Sequence, residues 1–337
     1  MSSLEFCAVM RAADAPDLPA RQIVRAAGLA AIYMEAPGGR HLSTLFRAAR
    51  RGVGTALRRA QADALLVRQR ALEVLHASGD VLPALPGARL GVADAAATLI
   101  ANRTALEEAL AALSGRAQRQ VTVFWDLARV DERFADAPEH APGGGGSAAL
   151  TERIATVIEG LLRGASQDAI TLPLSGDEML VNVVCLGARD DPPAFEAALE
   201  AADAIWSEGL RIKVVGPSPA ISFAALGLRR LHDREIAAAM RALDLPWMGA
   251  AMAPPAAQID AAFRTRAMAA HDVARQAPGD MGALQTARHL LHRVGEAQSA
   301  LIRAGAWTAG TALPPLALVR RDGGTLPAAP RSADRAA

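Results

Sequence analysis

Hydrophobic positions in the first third of the chain change from strand-like runs to a helical period. Residues 5–11 and 29–34 are short apolar runs and predict strands. After Ser43, apolar residues recur at steps of three and four up to Val74, which predicts a long helix. The segment Val81-Leu82-Pro83 ends it, because proline disfavours helix at the preceding residue.

The next elements complete a first α/β unit. A short extended piece is expected at 89–92, and a helix begins near Asp94 and stops at Gly115. The apolar segment 120–125 predicts a strand. The order strand, strand, helix, strand, helix, strand favours a small, mostly antiparallel sheet with helices on one face.

A Pro- and Gly-rich stretch at 137–147 separates this unit from a second one. There we expect a helix at 151–162, a hairpin from 169–174 and 179–186, a helix at 195–206 and a strand at 210–215. From residue 227 the pattern is helical to about 305.

These patterns together predict an α+β fold of two linked α/β domains followed by an all-helical module. The predicted divisions are a first domain at 1–130, a linker at 131–150, a second domain at 151–226, a helical module at 227–310 and a flexible tail at 311–337.

Composition narrows the function classes. Hydrophobic residues make up 51 % and charged residues 21 % of the chain, as in globular proteins, and the net charge is +1. No strong field therefore draws the protein to nucleic acid or to a membrane surface, and we expect neither as a partner. Cys7 and Cys185 lie in apolar strand-like runs, which indicates buried thiols in a reducing cytoplasm.

Two segments resemble a known family. One has Val81-Leu82-Pro83 between a helix and a strand, and the other has Gly216-Pro217-Ser218-Pro219 and Phe223 after a strand. Both are similar to the GvpL/GvpF family of gas-vesicle proteins, although Ser218 stands where that family usually has an aromatic residue. The motif residues, all interpreted as structural, are Val81, Leu82, Pro83, Gly216, Pro217, Pro219 and Phe223.

The resemblance implies a fold and a role. It implies two linked α/β domains, the first ferredoxin-like, and a non-enzymatic accessory or minor structural protein of gas-vesicle assembly. The implied partners are the hydrophobic shell protein and other gas-vesicle proteins, and the implied location is the cytoplasm, at the gas vesicle. It supplies no catalytic, cofactor or metal residues, and it leaves the partner-binding residues unidentified.

The C-terminal helices support a different interpretation. Residues 259–264, His271-Asp272 and 287–291 resemble a degenerate J domain, in which a His-Pro-Asp loop follows the second helix. Here Val273 follows Asp272, and the proline is missing. The alternative function is a co-chaperone that recruits an Hsp70 through residues 227–305, and the simpler alternative is a helical hairpin used for packing.

A second alternative is a hydrolase that uses Ser218. The sequence around it approaches the strand–turn–helix elbow that carries a nucleophilic serine. Pro219 argues against this, because the residue after the nucleophile must donate its N–H to the oxyanion and proline has none.

Three further features give little support to a functional interpretation. His289 and His292 are three residues apart on a helix, but no third metal ligand is near in sequence. Gly52-Val53-Gly54 lacks the preceding strand and third glycine of a dinucleotide loop. The eight arginines between Arg40 and Arg70 indicate a solvated helix face or a docking surface for an acidic partner.

Overall fold

A computed structural model confirms the α+β class and describes residues 4–35, 55–137, 139, 146–190, 193–246, 253–273, 279–308 and 311–320. This part of the chain contains two four-stranded antiparallel sheets with helices packed on them, a two-stranded ribbon and a C-terminal set of helices. The Gly52-Val53-Gly54 segment and the arginines from Arg40 to Arg51 lie outside these ranges.

The first sheet has the strand order β2-β3-β1-β4. Its strands are β1 (Leu4–Arg11), β2 (Ile23–Ala26), β3 (Leu29–Glu35) and β4 (Val81–Pro83). Helix α1 (Thr55–Ser78) packs on one face through Leu72 and Leu75. Helices α2 (Val92–Ala101) and α3 (Arg103–Ala112) pack on the other face. Helices thus lie on both faces of this sheet rather than on one, because β1 and β3 are apolar on both sides.

The second sheet has the order β6-β7-β5-β8. Its strands are β5 (Arg116–Trp125), β6 (Asp168–Thr171), β7 (Met179–Ala188) and β8 (Leu210–Ser218). Helices α5 (Gly146–Gly164) and α6 (Pro193–Asp203) cover one face. Strand β5 was expected to complete the first unit. Instead it is central here, because its ten residues pair with β7 on one side and β8 on the other.

The C-terminal part contains strands that the sequence did not predict. It comprises β9 (Ala225–Arg229), α7 (Asp233–Ala242), α8 (Ala256–Val273), α9 (Gly279–Arg303) and β10 (Leu316–Arg320). β9 and β10 form an antiparallel ribbon, and Leu226 of β9 bridges Ala84 next to β4. The region 227–310 is therefore not entirely helical. Residues 316–320 of the predicted tail are a strand, because backbone pairing with β9 orders them.

Other predicted boundaries also shift. The helix expected from Asp94 to Gly115 is divided at Asn102 into α2 and α3. Val81-Leu82-Pro83, predicted only to end the long helix, forms strand β4, and no strand is found at 89–92. Within the predicted linker, α4 (Val130–Arg133) follows β5 directly, and α5 already begins at Gly146.

Candidate functional site

The two motif segments meet at the junction of the two sheets. Ala84, one residue after β4, bridges Leu226, and the Leu85 N–H donates to the Leu226 carbonyl at 2.8 Å. Phe223 is buried in the same apolar cluster as Leu82, together with Val184 and Leu186 of the second sheet. The segment after β8 therefore fastens the second sheet to the core of the first.

Gly216 explains how the chain leaves β8. Its φ is +127°, a conformation that side chains other than glycine's rarely adopt. A Cβ at this position would lie 2.7 Å from the carbonyl oxygen of Gln118 on β5. The Gln118 side-chain oxygen then accepts the Ser222 N–H at 2.9 Å and holds the following turn. Pro217 and Pro219, which have no N–H to donate, stand on either side of the strand's end.

Ser218 is packed inside the protein. It is 6 % exposed, and its hydroxyl donates to the Gln118 carbonyl at 3.5 Å. In the described part of the chain, no histidine or carboxylate hydrogen-bonds this hydroxyl. The geometry around Ser218 is that of a structural turn, and it supplies no evidence of catalysis.

A buried polar cluster joins the two units beside this junction. Asp80 accepts hydrogen bonds from Arg189, which follows β7, at 2.9 Å and from the Gly115 N–H at 3.0 Å. It also pairs with Arg11 of β1 at 3.3 Å. One carboxylate thus connects the ends of β1, β4, β5 and β7.

His76, at the end of α1, is part of this cluster. Arg189 lies 3.3 Å from His76 Nδ1, and since guanidinium only donates, Nδ1 is the acceptor. Burial lowers the pKa of His76 below its ordinary value, and the Arg189 charge lowers it further. The imidazole is therefore held neutral next to the cation.

Arg68 corrects the interpretation of the arginine-rich stretch as a solvated face. It is 2 % exposed, and its guanidinium donates to the carbonyls of Phe6, Cys7 and Ala84 at 3.2, 2.9 and 2.6 Å. The β1–β3 register shifts between Phe6 and Ala8, so carbonyls next to this irregularity need other donors. Arg68 supplies them from α1.

Strand β8 is the long open edge of the second sheet. Among the residues that the structure describes, β8 pairs only with β5, and residues 213–217 are exposed. Val214 is 40 % and Val215 is 52 % exposed, on opposite faces of the strand. Lys213, the only lysine in the 337 residues, stands beside them and is also exposed.

The backbone groups that face this open edge follow from the strand pairing. The Asp126 N–H donates to the Gly209 carbonyl at 2.9 Å, whereas the Trp125 N–H points to the other neighbour and bonds Glu178. In an antiparallel pair this alternation continues along both strands. The N–H and C=O groups of Ile212 and Val214 therefore point away from β5 and are available to another strand.

The histidines do not assemble a metal centre. His292 Nε2 lies 3.0 Å from Asp260, which also accepts a hydrogen bond from Arg288, whereas His289 is exposed. Across the described ranges, no group of three or more His, Cys, Asp and Glu side chains is placed to hold a metal ion. None of the helices in those ranges has the length and apolarity to cross a bilayer.

His271 and Asp272 lie in the last turn of α8, which ends at Val273. A working J domain presents this pair in the loop after its second helix, so the backbone placement differs. The Hsp70 interpretation stays a prediction.

Comparison with known proteins decides the family. The family model for gas vesicle synthesis protein GvpL/GvpF matches residues 19–144 and 145–225, more than half of the chain. The chain belongs to the GvpL/GvpF family. No curated protein sequence matches it.

Two solved structures of this gas-vesicle family resemble the fold. The gas vesicle protein GvpF from Anabaena sp. PCC7120 is 16 % identical, with a TM-score of 0.46 over 65 % of this chain and 96 % of that chain. The GvpF from Microcystis aeruginosa is 17 % identical, with a TM-score of 0.44 over 65 % and 97 %.

The family match ends at residue 225, where the C-terminal elements begin. Both motif segments that meet at the junction lie inside the match or at its end. The elements after residue 225, α7 to α9 with β9 and β10, form a C-terminal extension beyond it.

Proposed function

We propose that this GvpL/GvpF-family protein is a non-enzymatic accessory of gas-vesicle assembly in the cytoplasm, and that it binds the hydrophobic shell protein through the open edge of β8. Its other partners would be further gas-vesicle proteins. The observation that carries the proposal is the exposed edge strand itself, with backbone groups at Ile212 and Val214 that no strand in the described part of the chain pairs, and exposed side chains on both faces.

An open strand edge is suited to a partner that must not aggregate before assembly. A partner segment that adds to β8 gains backbone hydrogen bonds from Ile212 and Val214, which do not depend on the partner's side chains. Val214 and Val215 add apolar contacts on either face. Lys213 discourages uncontrolled strand pairing at this edge, as charged residues do on other edge strands.

The first experiment is a pull-down from vesicle-forming cells with the full chain as bait. Val214→Pro removes one N–H from the open edge and leaves the bonds to β5 intact, since those are made by Lys213 and Val215. We expect the Val214→Pro variant to recover no shell protein in the pull-down. Val214→Thr, which keeps both the backbone donor and the branched side chain, is the matched control and should retain it.

The single lysine provides an independent readout. Amine-reactive labelling modifies Lys213 and the α-amino group, and mass spectrometry compares the two within one sample. In the recovered complex we expect labelling of Lys213 to fall relative to the free chain. Full labelling of Lys213 together with shell-protein recovery by Val214→Pro would move the contact away from β8. Normal vesicle formation after gene deletion, with no paralogue, would overturn the accessory role itself.

A further inference from the structure

A cleft separates the C-terminal extension from the first unit. It has a volume of about 910 Å³ and is bounded by the bend between α2 and α3 on one side and by α8 and α9 on the other. Fifteen of its 22 described lining residues lie beyond the family match. The cleft therefore owes its shape to the extension and is separate from the β8 edge.

The walls of this cleft are small and aliphatic. They include Ile100, Ala101, Ala253, Ile259 and Ala300. No Phe, Tyr or Trp is found among its described lining residues, and the one imidazole, that of His292, is engaged with Asp260, so the cleft offers a nucleobase little to stack on. Aliphatic side chains fit such a surface.

The charged groups of the cleft are mostly cationic. Among the lining residues that the structure describes, Arg103, Arg293 and Arg303 face a single carboxylate, Glu296. Arg103 forms an ion pair with Glu107 at 2.8 Å. His292 also lines the cleft and faces Asp260, which pairs with Arg288 as well. An excess of guanidinium remains, and guanidinium pairs carboxylates with two parallel hydrogen bonds.

Hydrogen bonds to Asn102 and Ala317 fix the position of Arg293. One of its terminal nitrogens donates to the Asn102 side-chain oxygen and to the Ala317 carbonyl, both at 3.1 Å. Asn102 itself is buried, accepts the Ala317 N–H at 2.7 Å and donates to the Pro315 carbonyl at 3.0 Å. The α2–α3 bend, α9 and β10 are thereby fixed to one another at the cleft.

The far wall is fixed in the same way. Gln298 of α9 is 6 % exposed, and its side-chain oxygen accepts the Ala253 N–H at 2.8 Å, just before α8. A binding surface whose walls are already ordered loses little conformational entropy when a ligand arrives.

We propose that this cleft binds an acidic segment of a partner protein, with its carboxylates on Arg293 and Arg303 and its aliphatic side chains against the small apolar walls. Charge complementarity selects the acidic residues, and the lack of Phe, Tyr and Trp among the described lining residues disfavours a nucleotide. This site is independent of the β8 edge, so the protein has one surface for strand pairing and another for an acidic segment.

Fluorescence anisotropy of a labelled synthetic peptide with alternating Glu-Glu and Leu-Ala pairs tests the proposal, using the full chain. We expect saturable binding that weakens with added salt, and no binding of the peptide with Gln in place of Glu. Arg303→Glu, at an exposed position of the cleft, should weaken binding at least tenfold. Arg266→Glu, exposed on α8 outside the cleft, is the matched control and should leave it unchanged.

Three results would overturn the proposal. The first is no binding of the acidic peptide at low salt. The second is equal weakening by Arg303→Glu and Arg266→Glu, which would indicate only general charge attraction. The third is full displacement of the peptide by equimolar inorganic phosphate or ATP, which would make the cleft a small-anion site. Arg293→Gln gives a second variant, and circular dichroism of each variant establishes that it folds.

Discussion

At the scale of single residues, Ala27 is held in a conformation that suits other amino acids better. It forms with Gly28 the two-residue loop between β2 and β3, and both have positive φ, +53° and +79°. This is the pattern of a type I′ turn, for which Asn-Gly is the favoured sequence. The left-handed conformation costs an alanine about 1 kcal/mol or more.

We predict that Ala27→Asn raises the free energy of unfolding by about 0.5–1 kcal/mol, because asparagine tolerates the left-handed region. Urea unfolding followed by circular dichroism measures it. Gly28→Ala is the reciprocal control. It has open space for the added Cβ and should destabilise through conformation alone. Equal stability of all three proteins would show that the turn carries no strain.

Among substitutions of a single polar side chain, we expect that of Asp80 to lower the free energy of unfolding most. Asp80→Asn keeps the shape but removes the charge that faces Arg11 and Arg189 inside the junction. We expect a loss of about 2 kcal/mol, because Arg189, whose side chain is 21 % exposed, keeps its charge without its partner, whereas Arg11 can turn to solvent. Glu107→Gln breaks an exposed ion pair with Arg103 and should cost no more than about 0.5 kcal/mol. Comparable losses in urea midpoint would contradict this ranking.

His76 makes stability depend on pH. Its pKa is lowered in the folded state, so the unfolded chain takes up the proton first as pH falls through the ordinary value of 6.5. Stability is present above that pH and is lost as the pH falls from 6.5 toward the folded pKa. We expect the wild type to lose more free energy of unfolding between about pH 7.5 and about pH 5.5 than His76→Gln does. Parallel pH profiles would exclude His76 as the cause.

Residue-scale features of this kind are the hardest to derive from sequence. Arg68 was grouped with exposed arginines because nothing in its neighbourhood along α1 distinguishes it from Arg59 or Arg70, which are exposed. Its burial depends on an irregularity of β1 some sixty residues away. Gly216 and Phe223, by contrast, were identified because their motif is local in sequence.

At the scale of elements, the exit of β8 depends on a glycine. Gly216→Ala places a Cβ 2.7 Å from the Gln118 carbonyl and requires a positive φ from alanine. We predict a loss of about 2–4 kcal/mol and a weaker attachment of the second sheet to the first. Gly160→Ala, in the middle of α5 with nothing within 4 Å, should instead stabilise by about 0.5–1 kcal/mol. Urea unfolding of both variants tests the contrast.

The sequence predicts strands where an apolar segment marks them. β1, β3, β5, β7 and β8 are seven to ten residues long, each contains an apolar segment, and the sequence predicts all five. β2, β9 and β10 have four or five residues each, and only long-range partners distinguish them from loops.

Strands β4 and β8 show two features that the hydrophobic pattern of the sequence does not determine. The sequence predicts only that Val81-Leu82-Pro83 ends the long helix, but a short strand with few ladder bonds tolerates proline, and the segment forms β4. The β8 strand itself was expected, but its open edge depends on the order of strands in the sheet, which the sequence does not specify.

At the scale of the whole molecule, the extension is locked to the first unit through β10. Its pairing with β9 buries Leu316 and Ala317, and Asn102 bonds both Pro315 and Ala317. Without β10, the buried Asn102 would lose these two hydrogen bonds and keep those with Thr98 and Arg293, which costs about 1–3 kcal/mol.

We therefore predict that truncation after residue 310 lowers the unfolding midpoint and increases aggregation through the uncovered edge of β9. Truncation after residue 320 keeps β10 and is the matched control. Thermal unfolding with light scattering compares the two. Equal behaviour of both truncations would show that the extension stays attached without its last strand.

The pairing of β10 with β9 also sets an order of events during translation. β9 adjoins the first sheet, whose earliest strand begins at Leu4, yet its outer neighbour ends at Arg320. The ribosome must therefore make the three helices α7, α8 and α9 and then β10 before that edge is covered, and until then the nascent protein exposes an unpaired strand. The folding of β9 thus waits for the synthesis of its partner strand.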